Sequence, residues 1–311
     1  MSHASPSASS TESKLDPSIG KETAPNELDA AAALRELSDF FARGPIFVLT
    51  GAGVSTDSGI PAYRDERGEW QRPQRPVEYR RFMDFEATRR RYWARSMLGW
   101  PSFDRAQPNS AHRALAQLER AGWLSLLVTQ NVDGLHQRAG SQRVVDLHGR
   151  LDHVICMQCR VRTSREALQH RLIEDNPLFS NASSRVAPDG DADLADADYD
   201  QFRLAHCQAC SGVLKPDVVF FGENVPQERV ERAMQALERS AGVLIVGSSL
   251  MVYSGYRFAK RALKLDIPVA ILNRGRTRAD EFATLRVPHG AGEILTALVA
   301  QGLVPRKAER D

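Results

Sequence analysis

Residues 46–59 read Ile46-Phe47-Val48-Leu49-Thr50-Gly51-Ala52-Gly53-Val54-Ser55-Thr56-Asp57-Ser58-Gly59, and this stretch decides the fold. An apolar run without alternation is the mark of a strand buried on both faces, as in a parallel sheet. The glycine-rich turn after it is expected to open a helix, where backbone N–H groups and the helix dipole can cradle a diphosphate. It is not the dinucleotide fingerprint G-x-G-x-x-G, because Thr56 stands in the place of the third glycine, and it lacks the lysine of a P-loop. A tight strand-to-helix turn that holds no ligand is the alternative.

Working outward, the same kind of short run recurs at Leu124 to Thr129, Val243 to Val246 and Val269 to Leu272, each ending in small or polar residues. Helical periodicity precedes the first of these strands over Asn26 to Arg43 and separates the later ones over His112 to Ala121 and Glu228 to Ser240. The reading is an α/β fold, a Rossmann-like parallel sheet. The pattern breaks after Leu151 and resumes at Val218 to Phe221, so the sheet domain is discontinuous. Residues 27–150 and 214–305 form it, and residues 151–213 are an inserted metal-organised module. Residues 1–26, rich in Ser, Ala and Pro, read as a disordered N-terminal tail. The dense arginines from Arg64 to Arg95 read as a solvated helical surface, and the acidic run Asp189 to Asp200 as a solvated loop, since Leu194 stands where an EF-hand needs glycine.

The chain has 311 residues, a net charge of +2, 42% hydrophobic and 26% charged residues. That balance is ordinary for a globular protein and speaks against a histone-like nucleic-acid binder and against wholesale disorder. No apolar run approaches the ~20 residues of a membrane span. The tail has acids and no arginine, unlike a secretory signal or a transit peptide. The expectation is a cytoplasmic protein with no membrane and no nucleic-acid partner.

All four cysteines fall in two C-x-x-C pairs, Cys156/Cys159 and Cys207/Cys210. Two residues between thiolates let each pair grip one metal, and four thiolates close a tetrahedral shell around a structural zinc. Redox dithiols are the alternative.

Two polar segments lie at predicted strand ends, the edge where open parallel sheets bind ligands. Gln130-Asn131-Val132-Asp133-Gly134-Leu135-His136 offers donors and an acceptor suited to a carboxamide and to hydroxyls. Val145-Asp146-Leu147-His148-Gly149 places at the same edge a histidine able to titrate near neutrality. Taken singly, either segment also fits a structural role.

Jointly and in order, Gly51 to Ser55, Ser58-Gly59-Ile60-Pro61, Thr129 to His136, Leu147-His148-Gly149, both cysteine pairs, Lys215 to Glu223, Gly247-Ser248-Ser249-Leu250 and Asn273 resemble the sirtuin family over about residues 36–300. Tyr63-Arg64, Arg91 to Arg95, Gly99-Trp100-Pro101, Ala187 to Asp191 and Val252 to Phe258 resemble its class II branch, which includes a mitochondrial lipoamidase and ADP-ribosyltransferase. The chain departs from the family at Pro61-Ala62-Tyr63-Arg64, where Ala62 replaces a usual acid near the cofactor.

The resemblance implies an NAD-dependent protein deacylase that removes an acyl group from lysine and yields free lysine, nicotinamide and acyl-ADP-ribose. It implies His148 as general base on the ribose hydroxyls. Gly51, Ala52 and Gly53 would approach the diphosphate. Gln130, Asn131 and Asp133 would position the nicotinamide ribose and carboxamide, and Ser248, Ser249 and Asn273 the adenosine half. Asp57, Tyr63, Arg64, Gly247 and Ala291 complete the implied cofactor set. Cys156, Cys159, Cys207 and Cys210 would hold one structural Zn2+.

Val219 and Phe220 would pair with the backbone of the acyl-lysine protein substrate. Tyr92 and Arg95, spaced Tyr-x-x-Arg, imply a clamp for an acidic acyl group. Passing ADP-ribose to a protein is the competing use of the same site. A non-catalytic zinc-ribbon module and a hydride-transferring dehydrogenase are disfavoured by His148 and by the broken fingerprint respectively.

Overall fold

The structure is a computed structural model that describes residues 29–67, 69, 76–179, 185–186, 192–193 and 199–302. The tail, the segment Ala187 to Asp191 and most of the acidic run Asp189 to Asp200 lie outside the described residues.

In chain order the helices are α1 (Ala30–Ala42), α2 (Tyr79–Asp84), α3 (Glu86–Asp104), α4 (Ser110–Arg120), α5 (Leu135–Arg138), α6 (Arg165–Asp175), α7 (Gln227–Glu238), α8 (Tyr253–Lys264) and α9 (Ala291–Ala300). The strands are β1 (Ile46–Thr50), β2 (Leu124–Thr129), β3 (Val144–Asp146), β4 (Gly149–Cys156), β5 (Arg162–Ser164), β6 (Arg185–Val186), β7 (Ala192–Asp193), β8 (Leu214–Val218), β9 (Gly242–Val246), β10 (Val269–Leu272) and β11 (Leu285–Val287).

Six strands form a parallel sheet in the order β11-β10-β9-β1-β2-β3. Every residue of β1 is buried because alternate side chains feed two cores. Ile46 and Val48 pack with Leu37, Phe41, Leu115 and Leu298 of α1, α4 and α9 on one face. Phe47 and Leu49 pack with Leu237 and Phe258 of α7 and α8 on the other. Side-chain caps open α1, α4 and α6. The Asp29 carboxylate accepts from the Ala32 N–H at 2.6 Å, and Asn109 and His112 form a reciprocal capping box on α4.

From β1 the chain steps to β2 and β3 on one side and later returns to β9, β10 and β11 on the other. The strand order therefore reverses between β1 and β9, and at such a reversal the loops leaving the two strand ends splay apart into a crevice.

A second, antiparallel sheet has the order β5-β4-β8. The strand expected at Val218 to Phe221 is thus displaced to Leu214–Val218, and it joins this small sheet rather than the parallel one. The arginine-dense region also differs from a solvated surface. Tyr92, Trp93, Ala94, Arg95, Ser96 and Met97 of α3 are all buried, and α3 packs with Leu168, Leu172, Phe202 and Val154 into the core of the small module. Arginine stems flanking this run hid its burial, since a long charged side chain can cover apolar surface while its head stays wet.

Pro101 sits inside α3. Lacking an N–H, it leaves the Met97 carbonyl without its helical partner, and the Gln169 side chain of α6 donates to that carbonyl at 2.7 Å. Arg165, one turn earlier, donates to the Ser96 carbonyl at 3.2 Å and lies over the rings of Trp93 and Trp100.

Candidate active site

A cavity of about 590 Å³ opens at the strand reversal, a size that suits a cofactor. Its floor is two back-to-back loops. The Gly51 N–H donates to the Val246 carbonyl at 3.1 Å, and the Gly53 N–H to the Gly247 carbonyl at 2.8 Å. A side chain on Gly51 would put its Cβ 2.7 Å from the Ser248 Cβ. The glycines are thus demanded first by the packing of one loop on the other, and the resulting floor has room for a diphosphate because no side chain projects from it.

The α-helix expected to open at the glycine turn does not form there. The chain makes two short 3-10 turns, Ala52–Val54 and Thr56–Ser58, ending at Gly59 with φ 83°. Helix N-termini reach the cavity from elsewhere: Tyr253 and Ser254 of α8, and Ala291 and Gly292 of α9, line it.

The residues expected around a dinucleotide converge here. Gly51, Ala52, Gly53, Asp57, Tyr63, Arg64, Gln130, Asn131, Asp133, His148, Gly247, Ser248, Ser249, Asn273 and Ala291 all line the cavity, as do Tyr92, Val219 and Phe220. Ala62, where the family acid is missing, also lines it. Arg95 does not come with them. It is buried on α3 and is not among the described residues lining the cavity, so the expected Tyr92 and Arg95 pair does not meet at its wall. One helical turn separates i from i+3, but Tyr92 faces the cavity with Phe220 and is backed by the buried Phe82, both ring centroids lying 5.4 Å from its own.

The polar loop after β2 is tied into the floor. Asn131 donates to the Gly51 carbonyl at 3.1 Å and to the Ser55 hydroxyl at 2.9 Å. Ser55 in turn donates to Asp133 at 2.7 Å. Burial raises the Asp133 carboxyl above the usual carboxylate range, against the lowering effect of its hydrogen bonds from the Leu135 N–H and Ser55. The Gln130 side-chain oxygen accepts from Ser248 at 2.7 Å, which joins this loop to the one after β9.

His148 stands where the two sheets meet, between β3 and β4. The Val219 N–H donates to its carbonyl at 2.8 Å. Its Nδ1 lies 2.9 Å from the Gln130 carbonyl and its Nε2 2.8 Å from the Ser254 hydroxyl. A carbonyl can only accept, so Nδ1 carries the hydrogen and Nε2 carries the lone pair. Burial pushes the imidazole down to about 4, with the Gln130 carbonyl opposing and the Arg229 and Arg257 charges assisting. At neutral pH the ring is an acceptor.

Ser254 and Arg257, both lining the cavity from α8, were read in the sequence only as part of a family likeness. Nothing local distinguishes a serine in the first turn of a helix as the partner of a histidine in a distant loop.

The four cysteine sulfurs lie within 4.8 Å of one another. The Cys156 and Cys210 sulfurs are 3.5 Å apart, and those of Cys159 and Cys207 3.6 Å. Thiolates at ~2.3 Å on a tetrahedral zinc stand about 3.8 Å apart, whereas a disulfide closes to about 2 Å. Each pair sits on the same kind of knuckle. The Arg160 N–H donates to the Cys156 carbonyl and the Ser211 N–H to the Cys207 carbonyl, with φ 64° and 58°. The four thiols are positioned to hold one zinc ion, and they leave no open position for chemistry.

The model of the Sir2 family matches residues 51–254. An NAD-dependent protein deacetylase of Xanthomonas campestris pv. campestris (strain 8004) is 57% identical over 81% of this chain and 86% of its own length. NAD-dependent protein deacetylase 2 of Bradyrhizobium diazoefficiens is 55% identical over 87% of this chain and 99% of its own. Among solved structures, a Sir2 homologue in complex with NAD superposes with a TM-score of 0.66 at 30% identity, covering 86% of this chain and 93% of the other. A Sir2 complex with a p53 peptide and NAD+ superposes with a TM-score of 0.67 at 29% identity, covering 86% of this chain and 98% of the other. With the glycine loops, the buried histidine and the four-sulfur cluster all inside the matched fold, this chain belongs to the Sir2, or sirtuin, family.

Proposed function

We propose that this chain is an NAD-dependent protein-lysine deacylase, acting on acylated protein substrates and releasing nicotinamide. The observation that carries the reading is His148, a neutral imidazole whose Nε2 lone pair lies in a cavity floored by two glycine loops at the strand reversal. NAD, when bound, supplies an electrophilic ribose carbon and the hydroxyls on which the acyl group ends. The likeness to NAD-dependent deacetylases and to an NAD complex supports that cofactor.

The chain's own residues do the rest. The loops of Gly51, Gly53 and Gly247 leave room for the diphosphate, with Ser248, Ser249, Asn273 and Ala291 beyond them for the adenosine half. Gln130, Asn131 and Asp133 border the nicotinamide end, walled by Tyr63. Their hydrogen bonds to the floor hold them in place beforehand, which favours orientation over flexibility. His148 takes a proton at Nε2 from a substrate hydroxyl.

Val219, Phe220 and Phe221, the segment that follows β8, are offered to pair with the substrate backbone. The acyl group lies against Tyr92, Phe220, Ile60 and Leu151, an apolar wall. Because Arg95 is away from that wall, an apolar acyl group is the better-supported substrate than an acidic one. Tyr63-Arg64 and Val252 to Phe258 support placement in the class II branch.

The experiment is to incubate the protein with NAD and acetyl-, lipoyl- and glutaryl-lysine peptides, following nicotinamide release and product masses for the wild type and His148→Ala. Deacylated peptide with acyl-ADP-ribose, lost in the variant, supports the reading. An ADP-ribosylated protein product with intact acyl peptides would assign the site to ADP-ribosyl transfer.

A further inference from the structure

We propose that Ser254 is a positioning residue, whose hydroxyl keeps the His148 ring in its neutral tautomer with Nε2 aimed into the cavity until a substrate hydroxyl displaces it. The proposal rests on the deacylase reading of this site and names a residue that reading does not use.

The hydrogen-bond directions leave one arrangement. The Gln130 carbonyl takes the Nδ1 hydrogen, so the contact of 2.8 Å at Nε2 must be a hydrogen donated by Ser254. Ser254 lies in the first turn of α8, is 9% exposed, and lines the cavity beside His148. The imidazole is thus gripped from opposite edges by β2's trailing loop and by α8. A ring held at one nitrogen alone is free to tilt about that bond.

The same contact occupies the lone pair that the reaction needs. Only one hydrogen can lie along it, so a ribose hydroxyl arriving at Nε2 must take the place of the Ser254 hydrogen. A serine suits that exchange, because rotation about χ1 moves the hydroxyl without moving the helix. The hydroxyl therefore guards the base in the free enzyme and yields when the cofactor binds.

The charged groups acting on the imidazole are Arg229 of α7 and Arg257 of α8, both disfavouring the imidazolium. Gln130 faces it with a neutral carbonyl, and the Val219 N–H is spent on the His148 backbone carbonyl rather than on the ring. Neither arginine is altered by a substitution at Ser254, so a change in the titration of His148 reports the hydroxyl.

A donor to Nε2 stabilises the neutral ring, so its loss raises the proton affinity. In Ser254→Ala the acid limb of kcat/KM for NAD, which reports the free enzyme, is expected to move up by about 0.5–1 pH unit, the equivalent of one hydrogen bond. The acid limb of kcat stays in place, because in the bound enzyme Ser254 has already yielded. Ser254→Thr, which keeps the hydroxyl, restores the wild-type limb. An acid limb of kcat/KM that does not move in Ser254→Ala overturns the proposal, and an equal shift in both limbs overturns the displacement.

Nitrogen-15 NMR of histidine-labelled protein without NAD gives a second readout that needs no turnover. In the wild type the His148 signal should show Nδ1 protonated and Nε2 hydrogen-bonded, and Ser254→Ala should lose the second mark. If the wild type releases no nicotinamide from any acyl peptide, the deacylase reading fails, while the NMR comparison still decides the Ser254 contact.

Discussion

Gly149 lies against the Asp217 carbonyl so closely that a Cβ at this position would overlap it, and its φ of 82° is in the left-handed region. This approach lets β4 and β8 close on each other immediately after His148, where the Val219 N–H bonds the His148 carbonyl. The histidine is therefore held at the seam between the two sheets by a residue that has no side chain.

Gly149→Ala is expected to lose about 2 kcal/mol or more of stability, combining backbone strain with an overlap that β8 must relieve by moving. The shift would carry His148 with it, so turnover should fall much further than Tm predicts. Chemical denaturation paired with nicotinamide release checks both, and wild-type values in each would contradict the close approach.

Removing the metal should unfold the small module. The Cys156 and Cys207 side chains belong to the same core as Trp93, Met97 and Leu172, so loss of the sulfur cluster is felt by α3. Atomic absorption is expected to find one zinc per chain, and a strong chelator to lower Tm by a wide margin, because binding energy at a structural site is folding energy. A chelated, zinc-free protein with an unchanged Tm would refute this.

The Lys215 ammonium is almost fully buried, 3.0 Å from Glu223, and donates to the Val218 carbonyl. Burial lowers its pKa, with Glu223 opposing. Glu223→Gln strands a buried cation and should cost about 3 kcal/mol, whereas Lys215→Met, removing the cation itself, should cost less. The pair braces the turn after Val219 and Phe220, and the Glu223 carboxylate also accepts from the Phe220 N–H at 2.9 Å. KM for peptide is therefore expected to rise in Glu223→Gln. Equal stability of both variants would count against the brace.

Acid should weaken the fold through its buried histidines. Burial lowers His112 and His148 to about 4, and His136 well below its ordinary value. Between their folded values and the unfolded value of ~6.5, the unfolded chain binds more protons. Stability from keeping them neutral is thus complete above about pH 6.5 and falls away toward pH 4. The raised carboxyls of Asp133 and Asp146 act with the opposite sign. Comparing His112→Gln with the wild type isolates one histidine. The urea midpoint of the wild type should drop more steeply from pH 6.5 to 4 than that of the variant, and parallel curves would remove His112 from the account.

What the sequence determined by itself were the strands and the chemistry-bearing residues. Ile46 to Thr50 and Val269 to Leu272 are too short and too apolar to be anything but strands buried on both faces, and two C-x-x-C pairs have few uses other than metal. Those signals are local, carried by residues within one turn or one strand of each other. Only the tertiary structure decided the rest, because it depends on residues far apart in the chain. Tyr92 reached the cavity wall while Arg95, one helical turn on, did not, since the rotation of α3 is set by the core it shares with Phe82 of α2, Leu168 and Leu172 of α6, and Phe202. The glycine turn became a floor rather than a helix start because Gly247, nearly two hundred residues later, packs against it. Ser254 meets His148 because β3 ends and α8 begins at the same edge of the sheet, a placement that follows from strand order and leaves no mark in either segment.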